Sequence, residues 1–125
     1  MKVTLTMTEN QARVLMRALD LYSRVRMGQF RTISYLFTPY REFDWTVVDY
    51  HLDATKRAIF PELDTNAYYG IFNDEVGDAK NAWDIHQVVR HALAWHRNPE
   101  GGITVDFDEP WATSDEPLPT IELEE

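Results

Sequence analysis

Apolar residues recur at three- and four-residue steps in three long windows of this 125-residue chain, and each window opens on a residue type that caps helices. In the first, Thr8-Glu9-Asn10-Gln11 has the capping-box pattern: the Thr8 hydroxyl can accept from the Gln11 amide while the Gln11 side chain reaches back. The spacing predicts a helix from there to about Met27, with Ala12, Leu15, Met16, Leu19, Tyr22 and Ser23 on one face and Gly28 ending it. In the second, Asp44 is a good N-cap for a helix over 45–59 with the stripe Trp45, Val48, Leu52, Thr55 and Ile59, closed by Pro61. In the third, Asn73 or Asp74 caps a helix to about Arg97 whose core line is Ala82, Ile85, Val89 and Leu93. Phe30, Ile33 and Phe37 continue the helical step until Pro39, which adds a second, shorter helix.

The two ends of the chain read differently. Val3 and Leu5 alternate with Lys2, Thr4 and Thr6, and Ile103, Val105 and Phe107 alternate with Thr104, Asp106 and Asp108. An antiparallel ribbon of 2–7 with 102–108 would join them. Two strands alone are marginal, so the ribbon must lie on the helices or pair with a second subunit. The expected fold is therefore α+β and mainly helical, with about four helices and a short two-stranded antiparallel ribbon joining the N- and C-terminal segments. Residues 1–111 form the single globular domain and 112–125 an acidic C-terminal tail. Residues 62–73 read as a loop anchored by Tyr68, Tyr69, Ile71 and Phe72.

Charge is segregated. Residues 1–41 carry seven basic side chains against two acidic ones, whereas 98–125 carry nine acidic and no basic ones; the whole chain is at −9. That balance argues against general nucleic-acid binding and against anionic membranes, but it leaves room for a local cationic pocket. There is no cysteine, which removes disulfides and thiol chemistry. No apolar run approaches the length of a bilayer span, and the start, Met1-Lys2-Val3-Thr4-Leu5, has no long apolar core, so neither a membrane anchor nor a secretory leader is expected.

Nine of the twelve basic residues are arginine, the side chain suited to planar, bidentate recognition of phosphate. Arg13, Arg17 and Arg24 fall on one ridge of the first helix, and Arg31 would join it if the helix ran on. Arg26 falls inside the apolar arc, where it needs a carboxylate or phosphate partner unless it snorkels at the frayed helix end. On the last helix, Trp83, His86 and Arg90 follow one edge, and a ring, an imidazole and a guanidinium in a row can grip a nucleotide. Tyr22 or Trp83 would lie against the base, and Gln29, after the Gly28 break, would present polar groups. The candidate ligand site is thus Tyr22, Arg24, Arg26, Gln29, Arg31, Trp83, His86 and Arg90. The same residues also fit a solvated arginine face, a stripe paired with the acidic tail, a core tryptophan and a satisfied edge histidine.

Catalytic and metal patterns are poor. His86, His91 and His96 are spaced by five, which turns each about 140° from the last, so no metal site is expected. Asp49 and Asp53 stand one helical turn apart, but Lys56 and Arg57 follow closely and surface ion pairing accounts for them. No phosphate loop or nucleophile motif is present, so no enzyme and no cofactor is expected.

The stretch Ala18-Leu19-Asp20-Leu21-Tyr22-Ser23-Arg24, then Met27-Gly28-Gln29-Phe30, resembles a segment of small accessory proteins of tailed bacteriophages. Ala82-Trp83-Asp84-Ile85 with Val89-Arg90, and the segment from Gly102 to Pro110, resemble the C-terminal half of the same group. The likeness covers residues 3–110. It implies a phage or prophage protein at work in the bacterial host cytoplasm, and it carries over no catalytic residue. Two counter-defence roles suit such a protein. One is a homo-oligomeric sponge that sequesters a small phosphorylated ligand such as a nucleotide immune signal. The other is an acidic, nucleic-acid-mimicking inhibitor that binds a host defence protein. A structural or interaction role is the remaining alternative.

Overall fold

The computed structural model describes all 125 residues, and half of them lie in helical turns. In chain order the elements are α1 (Glu9–Arg26), α2 (Thr32–Tyr35), α3 (Trp45–Ile59), a 3-10 turn (Asp74–Val76), α4 (Ala79–Arg97) and a second 3-10 turn (Val105–Phe107). The chain divides into two units: Met1–Asp20 together with Asn81–Glu125, and Leu21–Lys80. No helix is long and apolar enough to cross a membrane.

In the first unit, the reciprocal cap forms: the Gln11 amide donates to the Thr8 hydroxyl at 3.2 Å, and the Thr8 amide donates to Gln11 Oε1 at 2.9 Å. Two orphan amides of the first turn are thereby satisfied. The core is Ala12, Val89 and Leu93, with Met7, Met16 and Ile85 packed against it. The 3.6-residue period brings Ile85, Val89 and Leu93 onto one side of α4, where they pack with Ala12 and Met16 of α1.

The expected ribbon does not form, and the fold is helical rather than α+β. Val3 and Leu5 are 82% and 71% exposed on an irregular segment, and residues 105–107 close into a 3-10 turn. Phe107 is the physical reason. Its ring meets Trp95 edge-on, at 5.4 Å between centroids and 83° between planes, and its carbonyl accepts from Trp95 Nε1 at 3.1 Å. An aromatic contact on α4 outweighs the few ladder bonds that an isolated two-stranded ribbon offers. Gly101 makes the approach possible. It sits at φ +83°, and a Cβ there would stand 2.8 Å from the Trp95 ring.

Within 112–125, Thr113 and Ser114 are held by Asp84, which is only 2% exposed. Both backbone amides and both hydroxyls donate to its carboxylate, at 2.7 to 3.1 Å. Burial pushes the Asp84 carboxyl upward, but these four hydrogen bonds outweigh it and hold the group below the ordinary aspartate range. Gln87 adds a second clasp by donating from its amide to the Trp111 carbonyl at 2.9 Å.

In the second unit, Asp44 caps α3 by accepting from the Thr46 and Val47 amides at 3.0 and 3.2 Å. α2 is a single turn after buried Phe30, which meets Phe60 edge-on at 6.0 Å, and Phe60 in turn meets Tyr69. The Tyr69 amide donates to the Met27 carbonyl at 2.9 Å, which ties the 60–73 loop to the end of α1. Tyr68 and Phe72, expected to anchor that loop, are exposed.

Candidate functional site

The buried line of α3 is not the expected stripe. Ile59 is 57% exposed, while Lys56 is 5% exposed. Lys56 follows Leu52 by four residues, so it continues the inward line that Thr55 was expected to occupy. Its ammonium donates to the Thr65 carbonyl at 2.9 Å and to the Ala67 carbonyl. Burial lowers its pKa from the ordinary lysine value.

Asp53, one turn earlier, turns toward Arg31 rather than Lys56. Arg31 donates from Nε at 3.0 Å and from Nη2 at 2.6 Å, a bidentate fork on both carboxylate oxygens. This hydrogen bonding raises Arg31 and holds Asp53 below the ordinary carboxylate range. Asp53 keeps the Coulombic attraction to Lys56 and Arg57 expected from their spacing, but its hydrogen bonds go to Arg31. Ser34, buried on α2, donates to the Arg31 carbonyl at 2.8 Å and fixes the backbone from which Arg31 projects.

Arg31, Asp53 and Lys56 line a cleft of about 210 Å³, together with Gln29, Tyr35, Asn66 and Tyr68. Gly28 forms part of its wall in the left-handed conformation, φ +97°, that ends α1. The Gln29 amide then donates back to the Arg24 carbonyl at 2.8 Å, and Arg24 Nη1 donates to Gln29 Oε1 at 3.1 Å. The cleft therefore carries two cations against one carboxylate. Amide and hydroxyl groups line it too, as do the tyrosine rings of Tyr35 and Tyr68.

Of the residues singled out from sequence, Gln29 and Arg31 line this cleft and Arg24 braces it from behind. Tyr22 and Arg26 do not line it. They close on Asp78 instead: Tyr22 donates to its carboxylate at 2.6 Å, and Arg26 Nη1 donates to the same oxygen at 2.9 Å and to the Tyr22 hydroxyl at 2.9 Å. Arg26 thus meets the need of an arginine in an apolar arc with a carboxylate of its own chain.

Trp83, His86 and Arg90 belong to the other unit, where they do form a row. The His86 ring lies 4.7 Å from Trp83 at 30°, and Arg90 stands 5.9 Å over the Trp83 ring. His86 Nδ1 is 2.9 Å from the Met16 carbonyl, so that nitrogen carries the hydrogen, and Nε2 lies 3.9 Å from Asp20. Arg90 Nε is buried without a hydrogen bond, 3.5 Å from the Asp106 carboxylate.

Sequence periodicity passed over Lys56, Asp53, Tyr35 and Tyr68 as cleft residues. The available signal was the Leu52–Lys56 step, which places a cation on a line otherwise apolar. No protein-family profile, curated protein or solved structure matches this chain.

Proposed function

We propose that the protein binds a small phosphorylated ligand, a mononucleotide or smaller, in the cleft of Arg31 and Lys56, and holds it without turnover. In the bacteriophage setting that the sequence resembles, this is a counter-defence sponge withdrawing a nucleotide signal in the host cytoplasm. The observation that carries the reading is Lys56. Its ammonium is buried against two carbonyls rather than a carboxylate, while both Asp53 oxygens are taken by Arg31. Asp53 and Asp64 act on that ammonium only through space, so an anion entering the cleft gains a direct attraction to it in a partly dry site. Tyr35 and Tyr68 offer rings to a base, and Gln29 and Asn66 offer amides to its edge. The one carboxylate in the cleft, Asp53, is held ionised below the ordinary carboxylate range by its bidentate pairing with Arg31, which supports a binding role. Exposed Phe37, Tyr40 and Tyr50 support burial between subunits in a homo-oligomer.

Thermal melting with inorganic phosphate and with purine and pyrimidine mononucleotides tests this. At least one nucleotide is expected to raise the melting temperature and to be recovered chemically intact, and Arg31→Ala should lose the upshift. Consumption of the ligand contradicts the sponge reading. An upshift that survives Arg31→Ala contradicts the site.

A further inference from the structure

The unit formed by Met1–Asp20 and Asn81–Glu125 contains a second, larger opening, a groove of about 690 Å³. Its floor is the apolar face of both helices, with Leu15 and Leu19 from α1 and Val88 from α4. Two irregular segments also line it, contributing Leu5 from residues 1–8 and Ile121 and Leu123 from residues 108–125. Leu5 is 71% exposed and Leu123 48%, so these side chains border the opening without filling it. Neighbouring large apolar residues left open to water, around a concavity of ligand size, mark an interaction surface.

The charge around this groove selects among occupants. Glu9, Glu124 and Glu125 line it; Glu9 is paired with Arg13 at 3.0 Å and Glu125 lies 3.5 Å from His96, which leaves Glu124 and the remaining oxygens to meet a cation. Residues 98–125 supply nine carboxylates and no cation. A fatty acid or a nucleic acid would bring anionic groups against that rim. A second copy seated face to face here would set these same glutamates against one another, which opposes docking at this groove. A helix with an apolar stripe and basic flanks meets both features at once: its stripe fills the groove at i, i+3, i+4 and i+7, and its lysines or arginines reach the rim.

We propose that this groove is a docking site for a basic amphipathic helix of a partner protein, a surface separate in function from the phosphate cleft. Recognition is apolar in the centre and electrostatic at the edge. Affinity therefore falls with salt through the rim, while specificity for an amphipathic helix comes from the floor.

The test uses the full chain and two synthetic helical peptides of equal length, one patterned with leucine and lysine and the other with leucine and glutamate. Nuclear magnetic resonance titration is expected to show saturable binding of the lysine peptide, with the largest shifts at Leu19, Val88 and Ile121. The glutamate peptide should not bind. The double variant Glu124→Lys/Glu125→Lys changes only exposed tail residues and should weaken the lysine peptide by about tenfold. Three results overturn the proposal: shifts that map away from the groove, equal affinity for the double variant, or a sedimentation mass showing a second copy seated there, with Leu5→Asp restoring the monomer.

Discussion

Asp84→Asn is the sharpest probe of how the acidic C-terminal segment is held. The change is nearly isosteric but removes the charge and one of two acceptor oxygens. Each oxygen now accepts twice, Oδ1 from the Thr113 amide and hydroxyl and Oδ2 from those of Ser114. In the asparagine variant one pair survives, and the other amide meets an NH₂ group that cannot accept. Hydrogen bonds to a charged group contribute about 1.5–3 kcal/mol each, and an amide left without an acceptor costs about 1–3 kcal/mol. Relief from burying a charge, several kcal/mol before compensation, offsets part of this. The net loss is about 2–4 kcal/mol, a large share of the roughly 5–15 kcal/mol that holds a typical domain. For a chain of this length that lowers the melting temperature by about 10 °C. Calorimetry reads the shift, and hydrogen exchange at the Thr113 and Ser114 amides reads its location. The pH dependence has a fixed sign. Asp84 titrates lower folded than unfolded, so its contribution is complete above about pH 4 and disappears as pH falls through the folded value. An asparagine variant that melts within a degree or two of the parent, with unchanged exchange at 113 and 114, would refute the claim that these bonds outweigh burial.

Asp53→Asn removes the carboxylate that competes for Arg31. It should tighten phosphate binding by about fivefold while changing stability little, because the pair is partly exposed; calorimetric titration and melting report the two effects. Lys56→Met keeps the packed stem but strands the Thr65 and Ala67 carbonyls, so denaturant unfolding should register a loss of about 1–3 kcal/mol together with lost anion binding. Lys56 binds its proton less tightly folded than unfolded, so the parent should gain stability as pH rises through the folded value toward about 10.4; the methionine variant should lack that gain. Gly101→Ala places a methyl against the Trp95 ring in a left-handed backbone and should weaken the Trp95–Phe107 contact, read as a change in tryptophan fluorescence.

Local chemistry was the legible part of this sequence. The Thr8–Gln11 box, the Asp44 cap and the core line of α4 are short-range devices, and each forms where its residues place it. The alternation at 2–7 and 102–108 misled because period-two patterning states only that a segment could be half-buried as a strand. It does not supply a partner, and Phe107 found a better contact on Trp95. The inward position of Lys56 depends on loop carbonyls nine and eleven residues further on, which no helical wheel encodes. The roles of Arg31 and Asp84 likewise rest on partners at separations of 22, 29 and 30 residues. Arginine spacing suggested a ridge of Arg13, Arg17 and Arg24 that Arg31 would join if the helix ran on, with Arg26 apart in the apolar arc; in the fold Arg31 settles on Asp53 and Arg26 on Asp78. What remains is a cleft defined by its lysine.

Observation of the Lys56 ammonium by nitrogen-15 resonance during titration with adenosine monophosphate tests the cleft most directly. A saturable shift of that resonance is expected, with a pKa that rises on binding because an anion relieves the penalty of burial. A Lys56 resonance that stays fixed while ligand shifts appear elsewhere, or no shift at all with any mononucleotide, would contradict it.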